Sequence, residues 1–194
     1  MHPNPAFRGE AEALNLAFAR TRGFGTLCVN GDQGPMLAHV PFWLNDDATG
    51  GELHLVRSNP IARAVLGPTP AAIAVMGPDG YISPDWYGDP AQVPTWNYFA
   101  VHLRGQLMPA DAGDMRRHLD RVSAHFEDRL APKKPWTVDK MPDETLERMM
   151  RGILPFRFTL ESVAGTWKLN QNKTDDARFG AAAQVRASQI GHEV

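Results

Sequence analysis

The sequence has one cysteine, Cys28, which excludes an internal disulfide framework and a Cys-rich zinc site. No apolar run approaches the ~20 residues needed to cross a bilayer. The longest uninterrupted one extends only from Ala71 to Met76. The start, Met1-His2-Pro3-Asn4-Pro5, has neither the basic residues nor the apolar stretch of a signal peptide, so the cytoplasm is the expected compartment and no membrane partner is expected. Positive charge is not in excess either. Twenty Lys and Arg stand against 22 Asp and Glu, for a net charge of -2, so binding to nucleic acid through bulk charge is not expected. No P-loop or nucleophile elbow occurs. Gly23-Phe24-Gly25 opens like a dinucleotide fingerprint, but position 28 is Cys and the stretch follows a helical pattern instead of a strand.

What is plentiful is apolar content and punctuation. Hydrophobic residues make up 43% of 194, enough for a substantial core, and the expectation is a single domain over residues 1–194. Sixteen prolines and 17 glycines cut the chain into short elements. Phe7, Ala11, Leu14 and Phe18 predict an apolar helix face after Pro5, stopped by Gly23. The period then changes to two. Phe24 to Asn30 reads as a strand, Asn30 to Gly34 as a hairpin turn, and Met36 to Trp43 as its alternating return strand. Leu53–Ser58, Ala71–Met76, a run from about Tyr98, and Phe156 to Leu160 are further strands. Helices are expected over Pro60–Leu66, from Asp111 with the face Met115, Leu119, Val122, Phe126 and Leu130, and over Asp143–Gly152. Six short strands joined mostly by tight turns favour an antiparallel barrel with peripheral helices.

Few groups in the sequence carry chemistry. His118 and His125 share a helix face but lie roughly 10 Å apart, too far for one metal ion, and read as surface or edge histidines. No isolated acidic pair suits general acid–base work, so neither a catalytic side chain nor a metal site is assigned. Three segments stand out. His39-Val40-Pro41-Phe42 places a proline and a histidine within a strand. Gly77 to Tyr98 gathers two tryptophans and three tyrosines in what reads as a turn-rich loop. Trp167 to Lys173 is a dense set of donors after the last strand. Aromatics and cationic donors together suit a flat, anionic ligand.

At these residues the chain resembles the PaiB family, a group of FMN-binding split-barrel proteins related to pyridoxamine phosphate oxidases and labelled negative transcriptional regulators. The likeness runs from His2-Pro3 to Lys173. It rests on His39-Val40-Pro41-Phe42, Arg57-Ser58-Asn59-Pro60, Tyr81-Ile82-Ser83-Pro84, Val93 to Tyr98, and Lys168-Leu169-Asn170-Gln171-Asn172-Lys173. The resemblance implies an antiparallel split β-barrel and a homodimer with FMN at the subunit interface. Three positions depart from the pattern: Asn170 where the family usually has Ser, Lys173 where it often has Arg, and Gly88-Asp89-Pro90 where a basic residue is common. A lysine supplies a point charge, not the guanidinium fork.

FMN is a flat tricyclic ring with a terminal phosphate. Arg57, Ser58 and Asn59, leading into the helix at Pro60, are the expected phosphate contacts. His39, Val40, Pro41 and Phe42 are the expected wall against the ring, closed by Trp96, Lys168, Gln171 and Lys173. Three readings stay open: a flavin-carrying regulator, a flavin-dependent oxidoreductase in which the cofactor does the chemistry, and a flavin-binding structural or interaction protein with neither activity. DNA is a partner by the family label. Arg116, Arg117 and Arg121 form a basic stripe, but Asp114, Asp120, Glu127 and Asp128 lie close enough to make it a salt-bridged face.

Overall fold

The computed structural model describes residues 1–188 and 190. The chain folds as two compact units, one of residues 18–74 and 103–162 (the barrel unit) and one of residues 1–17, 75–102 and 163 onward (the terminal unit). Six strands, β1 (Phe24–Gly31), β2 (Gly34–Leu44), β3 (Gly50–Val56), β4 (Thr69–Ile82), β5 (Thr95–Pro109) and β6 (Ile153–Lys168), close into a barrel in the order β1-β2-β3-β6-β5-β4. The antiparallel barrel with helices outside it is the expected class.

In the barrel unit the period-two pattern decides which side chains go inside. Leu27 and Val29 of β1, Val40 and Phe42 of β2, and Leu53 and Leu55 of β3 are all buried, as are Ile73, Leu103, Leu107, Phe156 and Phe158. Each such side chain contributes about 1.5–3 kcal/mol. β1 and β2 form the expected hairpin, in register from Phe24↔Pro41 to Gly31↔Gly34. The β2–β3 ladder covers only Phe42 to Leu44. Phe42 donates its N–H to Gly23 O at 2.9 Å on the β1 side. By alternation the Pro41 nitrogen points toward β3, and it has no proton to give where that ladder stops. β6 is pinched between its neighbours. A Cβ on Gly50 of β3 would sit 2.2 Å from Phe158 O, and one on Gly105 of β5 would sit 1.8 Å from Thr159 O. Only glycine permits backbones that close.

Three helices of the barrel unit are α2 (Pro60–Ala64), α3 (Met115–Glu127) and α4 (Asp143–Met150). α3 buries Met115 and Val122 as expected, whereas Leu130 lies beyond its end and is exposed. His118 is a correction. It is only 1% exposed, because Glu52 and His54, on the outward face of β3, receive it. Its Nε2 lies 2.9 Å from His54 Nδ1, and its Nδ1 3.5 Å from Glu52 Oε2. Arg121 reaches the same carboxylate at 3.2 Å, and Arg117 its other oxygen at 3.7 Å. His125 is half-buried, with its Nε2 3.0 Å from Arg20 O.

In the terminal unit, helical structure starts later than expected. Asn4 caps a short turn at Pro5–Phe7, accepting from Ala6 N–H at 3.0 Å, and the helix α1 begins at Glu12 and runs to Arg22 in the barrel unit. Gly9 interrupts the pattern, having no side chain to pack and a high entropic cost in a helix. Asn15 and Leu16 are buried and Leu14 is exposed, so the inward face is rotated from the one expected. The aromatic loop is shorter than expected, since β4 continues to Ile82 and β5 starts at Thr95. β6 extends to Lys168, well past Leu160, and a helix that the periodicity did not reveal, α5 (Asp175–Val185), follows.

Burial holds the His118 imidazole down at about 4 from an ordinary 6.5, with the neighbouring His54 opposing its charge and Glu52 favouring it; burial also lowers His54. The contribution of the neutral His118 ring is therefore complete above pH ~6.5 and is lost as pH falls from there toward about 4, at about 1.4 kcal/mol per pH unit, and the lowered His54 acts in the same direction. Urea unfolding between pH 7 and 4 should show this slope, and His118→Gln should flatten it. Parallel profiles for the two proteins would refute the assignment.

Candidate functional site

Along β5 and into the turn after β6, the terminal unit assembles the donors that the sequence singles out. Lys168, the last residue of β6, donates its Nζ to Thr95 Oγ1 and, at 2.9 Å, to Trp96 O. Burial, and then the charge of Lys173, lower the Lys168 ammonium below the ordinary lysine value. Lys173 donates to Gln92 Oε1 and stands 5.4 Å from the centre of the Tyr87 ring. Both ammonium heads are thus spent on neutral oxygens while repelling one another. Trp96 is 46% exposed and meets Tyr81 edge to face, with centroids 6.1 Å apart. The exposed indole and the two mutually repelling cations make a surface on which a flat anion gains contact and charge neutralisation, with the Asp89 carboxylate already close enough to Lys173 to offset part of that charge.

The turn itself is built from the inside. Asn170 has a left-handed backbone (φ 61°), is 3% exposed, and accepts the Tyr87 hydroxyl at 3.0 Å. Asparagine tolerates that conformation better than most residues, and a serine would not reach as far toward Tyr87. Burial raises the Tyr87 phenol, with the bond to Asn170 pulling the other way. Gln171 serves the turn: its Oε1 accepts from Leu169 N–H at 2.8 Å, and its Nε2 donates to Trp167 O and, at 3.1 Å, to Ala6 O. Trp167 Nε1 donates to Asn15 Oδ1 at 2.7 Å, and its ring stacks on Phe99 at 4.5 Å and 6°.

The remaining candidates belong to the barrel unit. His39 is exposed on the outer face of β2, with its Nδ1 3.0 Å from Thr26 Oγ1. Pro41 shares that face, whereas Val40 and Phe42 point into the core, so they can meet a ligand only through the backbone. Arg57 follows β3, its Nε donating to Arg151 O at 2.8 Å, with Ser58 exposed beside it. Asn59 caps α2, accepting from Ile61 N–H at 2.9 Å. Pro60 has no N–H and Asn59 occupies that of Ile61, so an anion there would rest mainly on Arg57 and Ser58.

Sequence reasoning missed the Glu52–His54–His118 group, whose signal was the alternation of polar Glu52 and His54 with Leu53 and Leu55. Among the described residues no cluster of His, Cys, Asp or Glu is arranged to hold a metal ion, and no helix is long and apolar enough to cross a membrane.

Residues 1–162 match the family described as "Putative FMN-binding domain". A Bacillus subtilis protein named "Protease synthase and sporulation protein PAI 2" is 29% identical over 171 residues, covering 87% of this chain and 81% of that protein, in keeping with the PaiB likeness. An uncharacterized Aspergillus fumigatus protein is 26% identical, covering 81% of this chain and 79% of its own length. Two solved structures share the fold. The "FAD and Heme binding protein from Mycobacterium smegmatis" has a TM-score of 0.58 at 19% identity, covering 94% of this chain and 80% of that one. The "Flavocytochrome Anf3 from Azotobacter vinelandii" has a TM-score of 0.64 at 11% identity, covering 98% and 80%.

The buried Tyr87–Asn170 bond can be tested for stability alone. Tyr87→Phe should cost about 1–2 kcal/mol by leaving the amide oxygen unpaired. Asn170→Ala should cost more, since it adds left-handed strain, and Asn170→Gly less than Asn170→Ala. Urea denaturation of the three variants gives the order, and equal losses for Ala and Gly would contradict the backbone argument.

Proposed function

Since this chain belongs to the FMN-binding domain family that its residues 1–162 match, we propose that it holds FMN and acts as a flavin-carrying regulator of the PaiB type, as a homodimer. The observation that carries the reading is the pair Lys168 and Lys173. Two ammonium groups, one with its charge disfavoured by burial and by the other, stand beside an exposed tryptophan with only neutral oxygens as hydrogen-bond partners. That donor set fits a flavin, whose ring edge accepts hydrogen bonds and whose phosphate is anionic. Bound FMN would supply electron-transfer chemistry, and the protein positions it.

In this reading Arg57 and Ser58 hold the phosphate, and Asn59 keeps their turn in shape by capping α2. His39 and Pro41 offer the outer face of β2 to the ring. Trp96, Lys168 and Lys173 contact the ring edge, and Gln171 positions the turn that carries them. A homodimer allows the two sets to be drawn from different protomers. Exposed apolar side chains at Val93 (73%), Trp96 (46%) and Leu169 (45%) favour a covered surface around the terminal-unit set. Direct DNA reading by α3 is disfavoured because its arginines are engaged. Arg116 pairs with Asp120 at 2.9 Å, Arg117 with Asp114 at 3.1 Å, and Arg121 with Glu52. Regulation through the flavin-bound state of the protein is the better-supported route, and DNA binding should be weak and salt-sensitive.

Fluorescence titration of FMN tests the assignment. Lys168→Ala and Lys173→Ala should each weaken binding about ten- to a hundredfold, while apo stability changes by less than about 1 kcal/mol. Arg57→Ala should weaken FMN but leave riboflavin, which lacks the phosphate, unchanged. Sedimentation should give twice the chain mass. Superimposable FMN curves for wild type and both lysine variants would remove this segment from the site, and a monomer binding FMN stoichiometrically would remove the shared-site arrangement.

A further inference from the structure

We propose a second ligand site between the ends of α1 and α3: a groove of about 460 Å³ that takes an aromatic carboxylate, with its ring on phenylalanine and its acid on arginine. Its size is within the range that small-molecule sites occupy. Phe18, Thr21 and Arg22 of α1, Phe126 of α3, and Arg129 and Leu130 of the short turn that follows α3 line it, and all six belong to the barrel unit. None of them is among the flavin contacts. The two segments are tied together at the groove. α1 stops at Gly23, whose left-handed backbone (φ 54°) and missing side chain admit the Phe126 ring; a Cβ there would sit 2.6 Å from Phe126 Cζ. The last carbonyls of α1 are met from α3 and its turn. His125 Nε2 lies 3.0 Å from Arg20 O, and Arg129 Nη1 donates to Thr21 O at 2.6 Å.

Charge selects the occupant. The lining holds two arginines and no acid. The acidic residues nearest in sequence are turned to other partners. Glu127 accepts from Lys133 and, at 2.7 Å, from Trp136 N–H, while Asp128 borders a different cavity with Asp120 and Trp136. Among the described residues neither Arg22 nor Arg129 has an ion-pair partner, whereas Arg116, Arg117 and Arg121 of α3 each have one. A guanidinium receives a carboxylate through two parallel N–H bonds, so the free charge suits an acid. The apolar half selects the rest of the molecule. Phe18 and Phe126 are half-buried and Leu130 is exposed, so the floor is only partly covered by the protein. Arg129 stands 5.9 Å from the centre of the Phe126 ring, which holds cation and aromatic face side by side. An inorganic anion would cover no phenylalanine, and a neutral hydrocarbon would gain nothing from the arginines. A ring and an acid in one molecule use both halves.

2-Naphthoate is the probe, because it joins a flat apolar ring to one carboxylate; 2-naphthamide is its uncharged match. Fluorescence titration into the full chain should show saturable one-site binding of the naphthoate, with the amide at least about tenfold weaker. Arg22→Gln and Arg129→Gln should each weaken the naphthoate by about tenfold or more and leave the amide unchanged. Leu130→Glu puts an acid at an exposed position of the groove and should abolish naphthoate binding without lowering the melting temperature. Should that variant fail to fold, Thr21→Glu, at an exposed position of α1 lining the same groove, makes the same test. FMN should not displace the naphthoate, and its own affinity should be the same in Leu130→Glu as in wild type, whether or not the flavin reading holds. Absence of saturable binding, equal affinity for acid and amide, or naphthoate binding that survives both arginine variants or the added acid would overturn the proposal. Displacement of the naphthoate by FMN would overturn it too, by assigning the groove to the flavin.

Discussion

Period-two alternation along the strands is the constraint on which the other features rest. In β3 it sends Leu53 and Leu55 inward and leaves Glu52 and His54 outside to meet α3. In β2 it buries Val40 and Phe42 and leaves His39, Pro41 and Trp43 on the outer face, where Arg121 stands 4.3 Å from the Trp43 ring. A slip of one residue in either ladder would bury the polar set and expose the aliphatic one, so register is strongly specified. The flavin site proposed for this chain is therefore a choice of strand face before it is a choice of side chain.

Polar groups then fix what the apolar core leaves adjustable. In the terminal unit Asn15 is buried inside a helix, where an asparagine is tolerable only with a partner. Trp167 supplies it, and Gly165 makes room: a Cβ there would lie 2.0 Å from Asn15 Oδ1. Tyr87 and Asn170 do the same for the turn that carries Lys173. These bonds set the geometry of the lysines without touching a ligand, so the site depends on residues that carry no charge. In the barrel unit burial keeps the imidazoles of His54 and His118 neutral, which is what gives that contact its sensitivity to acid.

Much of the barrel was legible because its strands alternate cleanly and its hairpin has the turn chemistry of Asn30 to Gly34. The limits of legibility also have physical causes. α1 was displaced because Phe7 has helical spacing but sits in a separate capped turn, cut off at Gly9. α5 escaped because Asp175 to Val185 is rich in alanine and shows no apolar stripe, so only tertiary packing defines its inward face; Ala181 is buried with Ile82 and Tyr87. His118 was misplaced because its partners, Glu52 and His54, are 66 and 64 residues away in sequence. Among the candidate site residues, Lys168 and Lys173 stood out by density of donors. Asn59 and Gln171 look like ligand groups in sequence, yet their amides are engaged by backbone, Asn59 at the start of α2 and Gln171 in its own turn and at Ala6.

The glycine pinch on β6 bears on what this chain could tolerate by way of change. Gly50 and Gly105 press carbonyls of Phe158 and Thr159 from either side, and neither has any chemistry to offer a ligand. A library screened only for folding would return glycine at both places while allowing His39, Arg57 or Lys173 to drift. Two hydrogen atoms in place of side chains are thus among the least negotiable parts of the molecule, and the residues with the most chemistry are the ones that the architecture leaves open to revision.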